Sequence, residues 1–377
     1  MATTRRDFVQ TMAVAGSSLS LGLFGCSARE SGEVRRARNP LRILILGGTG
    51  FIGPHQVEYA LKRGHTITLF NRGRTNPHLF PDLEKLRGDR DTGDLDALRG
   101  REWDAVIDNP AMLPRWVRDS AGLLKDSAGQ YLFISTLSVF ANDGVIDQDE
   151  NGELAVYDEE KEEVVTGTRY GGRKVLCERA AEQAFPGRTT VVRPGLITGP
   201  GDPTLRFPYW PIRVDRGGEV LVPGQPGDPV QFIDARDLGE FVVSLLEEST
   251  YGIFNATGPE KPIPMGDMLD EIKDGLESDA TFTWADEEFL QEQGVLRLIN
   301  GLGGTAVRNP RLAGYNQYNI DRALAEGLTF RPIGVTARDT VEWYKALSEE
   351  DRSLRRMLSA EREAEVLAAW HARGSGE

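Results

Sequence analysis

Residues 41–53, LRILILGGTGFIG, decide the fold of this chain. Their first half is a short run of mostly branched apolar residues, which is typical of a strand buried on both faces. The run leads into a glycine turn and then into a helix-compatible segment, residues 54–63, that ends before Gly64. This order is the context of a dinucleotide-binding fingerprint, because closely spaced glycines let the backbone approach a pyrophosphate at the start of a helix. The glycines of the predicted turn are Gly47, Gly50 and Gly53.

The composition is that of a globular protein, with 377 residues, 40% of them hydrophobic and 27% charged. This length allows one large domain or two of modest size. The net charge of −14 argues against a broad nucleic-acid-binding face, because such faces neutralise phosphates with lysine and arginine. The two cysteines and four histidines lack the spacing of metal ligands, so the sequence predicts no metal site.

The first 40 residues have the pattern of an export signal and a polar tether. The pair Arg5–Arg6 precedes a moderately apolar stretch, residues 12–24, that is too short to span a bilayer. The pair resembles a twin-arginine export signal, and the residues before Cys26 resemble the lipobox of bacterial lipoproteins. We therefore expect an exported protein, periplasmic or anchored to a membrane through lipid on Cys26. The alternative is a cytoplasmic protein that keeps this segment.

Beyond the glycine turn, strands and helices alternate, which predicts an α/β fold with a doubly wound parallel sheet. In such a sheet, ligands bind beyond the carboxyl ends of the strands. Prolines and glycines between residues 194 and 211 then break the pattern, so the chain leaves the sheet there for a substrate lobe. The predicted strands are residues 41–46, 66–70, 103–108, 131–135, 189–193, 230–233 and 252–255, with another before Gly88. The predicted helices are residues 54–63, 170–184, 238–247, 335–347 and 351–370, with another starting at Pro114.

The exit of the second predicted strand bears on the choice of dinucleotide. NAD-preferring folds place a carboxylate near this point to accept the ribose hydroxyls, and none is present here. Asn71 can bind a ribose and Arg72 can pair with a 2′-phosphate, so the pattern leans toward NADP. The alternative, nearly as well supported, is that Arg72 is a solvated loop residue. Asp89, after the third strand, is placed to meet the adenine edge.

Tyr170 and Lys174 are the candidate catalytic pair. They are four residues apart on a predicted helix and so share one face. A free phenol is a poor base at neutral pH, and we expect the lysine ammonium to lower the pKa of Tyr170 and make it a usable acid and base. Thr136, at the mouth of the strand before, is placed to bind a substrate oxygen. A tyrosine and a lysine at this spacing are common by chance, and the context gives them weight.

Taken together, these motifs resemble an extended short-chain dehydrogenase/reductase, and more narrowly the NAD-dependent epimerase/dehydratase family. The resemblance rests on residues 47–53, Thr136, residues 170–174 and Arg193-Pro194-Gly195. It implies a Rossmann domain with bound NAD or NADP, and a catalytic role for Thr136, Tyr170 and Lys174. It also implies cofactor contacts from Gly47, Thr49, Gly50, Phe51, Ile52, Gly53, Asn71, Arg72, Asp89, Arg90 and Lys174. Residues 70–73 and 88–90 are similar to a branch that includes chloroplast stem-loop-binding proteins, although the acidic charge argues against RNA binding here.

The resemblance also implies where the domains lie. We expect an export signal and tether over residues 1–40 and the Rossmann domain over residues 41–194. A smaller mixed lobe follows over residues 195–347, interleaved with returning Rossmann elements at about 230–255. A C-terminal helix and tail occupy residues 348–377. Homologous enzymes often dimerise through helices beside the sheet, so a homodimer is an option.

Two departures from the family pattern narrow the chemistry. Sugar dehydratases carry an Asp-Glu pair after the threonine, and here the positions hold Leu137 and Ser138, which argues against dehydration. Nucleotide-sugar epimerases carry an arginine for the diphosphate where this chain has Val230. The candidate substitutes are Arg206, Arg213 and Arg216.

Four further residue groups have a functional and a structural interpretation. The aromatic run Phe207–Trp210, with Arg213, can stack on a sugar-like ligand, but ordinary lobe packing is slightly favoured. Arg236-Asp237 reads as a structural ion pair, Cys177 as a buried small hydrophobe and the acidic stretch of residues 147–163 as a solvated loop.

The sequence therefore predicts an enzyme that oxidises a secondary alcohol of a sugar or sugar-like substrate by hydride transfer and then re-reduces it, a net epimerisation. Export favours this reaction, because an epimerase restores its cofactor in each turnover. The first alternative is a net NADPH-dependent carbonyl reductase, which the features at Arg72 favour. The second is a non-catalytic nucleotide- or RNA-associated protein, against which the intact catalytic set speaks.

Overall fold

A computed structural model describes residues 34–109, 111–157, 170–353 and 357–374. The predicted export signal, including Cys26, lies outside these residues. The strands are β1 (Arg42–Leu46), β2 (Thr66–Asn71), β3 (Glu84–Arg87), β4 (Trp103–Asp108), β5 (Ala128–Ile134), β6 (Thr189–Pro194), β7 (Ile197–Thr198), β8 (Glu219–Pro223), β9 (Pro229–Val230), β10 (Ile233–Asp234), β11 (Gly252–Ala256), β12 (Ile263–Pro264) and β13 (Thr281–Ala285).

The helices complete the element order. They are α1 (Gly53–Arg63), α2 (Pro114–Leu124), α3 (Tyr170–Ala184), α4 (Tyr209–Val214), α5 (Ala235–Glu247), α6 (Met265–Leu276), α7 (Glu287–Glu292), α8 (Leu296–Ile299), α9 (Asp321–Ala325), α10 (Ile333–Ala346), α11 (Glu349–Ser353) and α12 (Ala360–Gly374). No helix of the described segments is long and apolar enough to cross a membrane.

The central sheet has the order β11-β6-β5-β4-β1-β2-β3, and all of its pairings are parallel. Side chains of β1 alternate between two hydrophobic layers, as a strand buried on both faces requires. Ile43 and Ile45 pack against α1 and α5, whereas Leu44 and Leu46 pack on the opposite face with α2 and α3. All four are fully buried. The predicted doubly wound parallel sheet is confirmed.

A second hydrophobic core lies in the C-terminal lobe. The parallel pair β8 and β13 packs with α4, α6 and α10 around residues from all of them. Phe207, Tyr209 and Trp210 are at most 2% exposed within this core. Arg213 beside them donates to the Glu363 carboxylate and to the carbonyl oxygen of Gly217. The structural interpretation of this aromatic run is the correct one, and the stacking interpretation is wrong.

Several element boundaries follow the sequence prediction closely. Residues 103–108 and 170–184 form β4 and α3 as predicted, and α1 ends at Gly64, whose φ of 94° suits glycine. Cys177 is fully buried, as predicted. The predicted closing helix over residues 351–370 is wrong, because α11 ends at Ser353 and α12 starts at Ala360.

Two other predictions need correction. The predicted strand at residues 230–233 is two short strands, β9 and β10, which pair with β12 and β7. Arg236 and Asp237 do not pair with each other. Arg236 pairs with Asp234, two positions earlier at the end of β10, and with Asp339 of α10, whereas Asp237 accepts from Arg331. Both side chains are structural, and each has a partner from the C-terminal part of the chain that the local sequence does not reveal.

Candidate active site

The glycine turn between β1 and α1 is shaped by backbone contacts. A Cβ on Gly53 would lie 2.6 Å from the Cα and carbonyl carbon of Gly48, so the chain closes on itself here. Gly48 has a φ of 87°, which disfavours any residue with a side chain. A Cβ on Gly50, in contrast, would meet nothing within 4 Å. The first N–H groups of α1 have no side-chain cap from Ile52, and so remain for a ligand.

A cavity of about 360 Å³, here the glycine-turn cavity, opens beside this turn at the carboxyl ends of β1, β2 and β3. Arg72 and Arg74 line it and make no ion pair within the described chain, and Asp89 lines it as well. The lining residues are Gly47, Thr49, Gly50, Phe70, Asn71, Arg72, Gly73, Arg74, Thr75, Gly88, Asp89, Arg90, Asp91, Met112 and Trp116.

Two predicted cofactor ligands in this cavity are already engaged by the protein. The Asn71 amide donates to the carbonyl of Gly47 over 3.1 Å and accepts from the N–H of Gly73, so it braces the turn. The Arg90 guanidinium lies 2.9 Å from both oxygens of Asp108, a fully buried carboxylate on β4. These contacts give both residues a structural role in the cavity wall. Their predicted contacts with the cofactor stay predictions.

A second cavity of about 380 Å³, here the Tyr170 cavity, lies at the carboxyl ends of β5 and β6. Thr136, Tyr170 and Lys174 all line it, so the structure brings the three predicted catalytic residues together. Phe51 and Ile52 of the glycine turn line it as well. Because Met112 borders both cavities, they adjoin along the edge of the sheet where parallel α/β folds bind ligands.

Tyr170 begins α3 and is mostly enclosed. Burial raises the pKa of its phenol, and a hydrogen bond with Thr136 acts in the opposite direction. Thr136 is positioned by its own loop, where its Oγ1 accepts the N–H of Ser138 over 3.2 Å. The sequence led us to expect a lowered pKa from Lys174, and in this structure that expectation is wrong because desolvation dominates.

Lys174 points into the fold beneath the cavity wall. Its ammonium donates to the carbonyl oxygens of Ala111 at 3.1 Å and Ile134 at 2.6 Å, and it lies 4.4 Å from the ring centroid of Phe133. Burial lowers its pKa to about 8, because no carboxylate pairs with it directly. It therefore supplies a positive charge that is fixed in place near neutral pH.

Helix α3 is joined to the sheet by a buried ion pair that we did not identify from the sequence. Glu178 Oε2 lies 2.7 Å from Nη2 of Arg193 on β6, and Glu178 also accepts from Ser135, the residue before Thr136. Arg193 is 1% exposed and donates onward to the carbonyl of Glu150. This network sets the distance between the helix that carries Tyr170 and the strand end that carries Thr136. Glu178 lies four residues after Lys174 and so shares the helix face that carries the lysine. This placement was the sequence signal that Glu178 faces the sheet.

The far wall of the Tyr170 cavity is formed by the lobe and the loop after β7. Thr204 Oγ1 donates to Asp202 Oδ1 over 2.6 Å and accepts from Arg206 Nε over 3.1 Å. Tyr318, which also lines this cavity, donates to Asp143 over 3.3 Å. Of the three candidate arginines, Arg206 alone lines this cavity, whereas Arg213 and Arg216 lie against Glu363.

The residues present fit a dinucleotide. The open space at Gly50 admits a group close to the backbone, and the uncapped start of α1 offers donors to a pyrophosphate. Two adjoining cavities then extend from this point, one toward Arg72 and one toward Tyr170. Such an arrangement suits a ligand with a base at one end and a reacting ring at the other.

The structure combines a parallel sheet and a glycine turn with a tyrosine and a lysine one helical turn apart at the sheet edge. These are the features in which the sequence resembles extended short-chain dehydrogenases/reductases. Residues 43–112 match the model of the NAD dependent epimerase/dehydratase family. Over these residues, which include the glycine turn and β1, the chain is similar to that family.

The chain is similar to known proteins over longer stretches. The chloroplast stem-loop binding protein of 41 kDa b from Arabidopsis thaliana is 25% identical over 239 residues, which span 59% of this chain and 60% of that protein. The human epimerase family protein SDR39U1 with NADPH has a TM-score of 0.55 at 18% identity, over 80% of this chain and 99% of that one. UDP-glucuronic acid 4-epimerase from Bacillus cereus, in complex with NAD, has a TM-score of 0.56 at 15% identity, over 82% and 97%.

Proposed function

We propose that this chain is an NAD(P)-dependent oxidoreductase that epimerises a secondary alcohol of a sugar-like substrate. The observation that carries the proposal is the meeting of Thr136, Tyr170 and Lys174 in a cavity that adjoins the glycine turn. The similar structures include a sugar-nucleotide epimerase with NAD and an epimerase-family protein with NADPH, which supports the reaction class.

Each residue of the set has a distinct task. Tyr170 takes the hydroxyl proton as the alcohol is oxidised and returns a proton when the ketone is reduced. Thr136, which is hydrogen-bonded to Tyr170, orients the substrate oxygen toward the phenol. Lys174 holds a positive charge beneath them, which stabilises the phenolate of Tyr170 when its hydroxyl is deprotonated. The bound nicotinamide supplies the hydride acceptor and donor.

The cofactor choice rests on the glycine-turn cavity. Arg72 and Arg74 line it without an ion pair in the described chain, and an arginine here suits a 2′-phosphate. This arrangement leans toward NADP and supports a second candidate function, a net NADPH-dependent carbonyl reductase. The predicted export signal, which lies outside the described residues, supports the epimerase instead, because epimerisation consumes no cofactor. Mass spectrometry of the nucleotide released on denaturing the purified protein distinguishes NAD from NADP.

The substitution Tyr170→Phe tests the proposed acid/base role. We expect turnover to fall by about 10²- to 10⁴-fold while the bound nucleotide is retained, because the phenylalanine keeps the packing and removes the proton. Turnover is followed by isotope exchange at carbinol carbons across a panel of glycosides and sugar acids. Tyr251→Phe, an exposed tyrosine outside both cavities, is the matched control. Unchanged exchange in the Tyr170 variant would overturn the role.

A further inference from the structure

We propose that Arg206 binds a single oxyanion of the substrate, so the enzyme acts on a sugar-like alcohol that carries a carboxylate or a phosphate monoester. This inference rests on the proposed function and names the substrate class of the same cavity. It begins from the charges that line the Tyr170 cavity, because a substrate charge must be met there by a group with free donors.

Arg206 is the cation of this lining whose donors remain available. Lys174, the other positive charge in the described lining, already donates to two backbone carbonyls. Arg206 makes no ion pair with any carboxylate in the described chain, and its side chain donates to Thr204 through Nε alone. The two terminal nitrogens of its guanidinium therefore remain for a partner in the cavity. A planar fork of this kind matches one carboxylate or phosphate group in a bidentate manner.

The guanidinium is held in place before any substrate binds. Asp202, which is 1% exposed, accepts both the N–H and the hydroxyl of Thr204, at 2.7 and 2.6 Å. Thr204 in turn accepts Nε of Arg206 over 3.1 Å. The intervening Leu205 has a φ of 54°, a left-handed conformation that a branched side chain rarely adopts. The loop thus maintains an unfavourable backbone angle at the point where it presents Arg206.

The positive charge of Arg206 reaches the reacting end of the cavity. Burial raises the pKa of Tyr170 and of Tyr315, and the charge of Arg206 opposes that rise in both. The anion of a bound substrate would therefore lie within range of the alcohol that Tyr170 deprotonates, as in a small hydroxy acid. Asp143, which lines the same cavity, accepts a hydrogen bond from the Tyr318 hydroxyl and forms no ion pair with Arg206.

The same lining argues for one oxyanion and against a nucleoside diphosphate. A diphosphate carries two negative groups, and the described lining has one guanidinium with two free terminal nitrogens. Lys174, its other cation, uses two of its three N–H donors on backbone carbonyls. Nucleotide-sugar epimerases carry an arginine at the position of Val230. Next to it, the side-chain amide of Gln231 donates to the carbonyl and accepts from the N–H of Tyr318, so it is not available to a diphosphate. Arg213 is buried against Glu363 in the lobe core and does not reach the cavity lining.

The test measures binding without turnover. We would use the full chain with its retained dinucleotide in a Tyr170→Phe background. Calorimetric titrations use D-glucuronate as the carboxylate, glucose 6-phosphate as the phosphate and methyl β-D-glucoside as the neutral probe. We expect at least one anion to bind about tenfold or more tightly than the glucoside. Arg206→Gln should reduce anion affinity by about 10- to 100-fold and leave glucoside affinity unchanged.

Companion variants keep the result interpretable. Arg206→Lys keeps the charge without the fork, and we expect an intermediate anion affinity. Arg216→Gln, on an arginine outside the cavity lining, should match the parent. Binding of glucuronate alone identifies a carboxylate substrate, and binding of the phosphate alone identifies a phosphate monoester.

The overturning results are equally definite. The proposal fails if no anion binds to the parent, if the glucoside binds as tightly as both anions, or if Arg206→Gln keeps full anion affinity in a folded protein. Thermal unfolding of each variant establishes that it is folded, and Arg206→Lys serves if Arg206→Gln is not. If anion binding depends on Arg206 while Tyr170→Phe leaves turnover intact, the anion site stands and the acid/base assignment fails.

Discussion

The glycine-turn cavity and the Tyr170 cavity adjoin each other but are built by different means. The first is lined by short loops that follow β1, β2 and β3, and its shape depends on backbone positions such as Gly48 and Gly53. The second gathers side chains from β5, α3, the loop after β7 and the lobe, and two of them, Thr136 and Tyr318, are 182 positions apart. Buried polar contacts, above all Glu178 with Arg193, connect these distant parts. The proposed nucleotide site is therefore local, whereas the proposed reaction site depends on the whole fold.

The largest effect that would sharpen this contrast is expected from Glu178→Ala. Removing the carboxylate leaves Arg193 buried and unpaired, so we expect the free energy of unfolding to fall by about 3–5 kcal/mol. Glu182→Ala, one turn further along α3, removes an exposed carboxylate that accepts the N–H of Gly187 and should cost within about 0.5 kcal/mol. Urea unfolding of both variants is the measurement. Equal losses would break the view that the Tyr170 cavity depends on this pair.

A smaller effect is expected from the pH dependence of Lys174. Burial lowers its pKa from 10.5 to about 8, so between these values the unfolded chain binds more protons than the folded one, and stability rises with pH. Relative to Lys174→Met, the gain across this window is at most roughly 3 kcal/mol. The measurement is urea unfolding without added nucleotide at pH 7.5, 9 and 10.5. A difference between the two proteins that does not change with pH would show that Lys174 titrates normally.

The smallest effect concerns the local cavity and compares two glycines. Gly53→Ala places a methyl group against the Gly48 backbone, and we expect a stability loss of about 1–3 kcal/mol. Gly50→Ala meets open space, so stability should change by less than about 0.5 kcal/mol while dinucleotide affinity falls about tenfold. Heat unfolding and nucleotide titration measure the two quantities. Normal nucleotide affinity in Gly50→Ala would show that the pyrophosphate lies elsewhere.

The same contrast explains what the sequence could predict. The glycine turn and the Tyr170–Lys174 spacing each lie within one element and its neighbour, so their periodicity is visible in the sequence. Arg90 was assigned to the cofactor from the resemblance, and its structural partner Asp108, 18 positions away on β4, was not visible in the sequence. The pKa of Tyr170 could not be predicted either, because it depends on burial, and burial depends on the lobe.

The lobe shows the same limit in another form. Phe207–Trp210 has the composition of a stacking surface, and only the packing of the second core shows that these rings are internal. The side chain that does line the cavity, Arg206, directly precedes them. Its signal was present as the alternating Asp202, Thr204 and Arg206, a spacing at which short polar side chains bond along the backbone. An arginine fixed in this way is distinguishable from one that is merely near the lobe.

The loop from Asp202 to Arg206 has an evolutionary consequence. Its three polar side chains bond to one another, and none belongs to any of the hydrophobic cores. Substitutions within these five consecutive residues could therefore change the charge that contacts the substrate, with little effect on folding. We expect relatives that keep the glycine turn and differ in this pentapeptide to have diverged in substrate specificity and to share the same reaction.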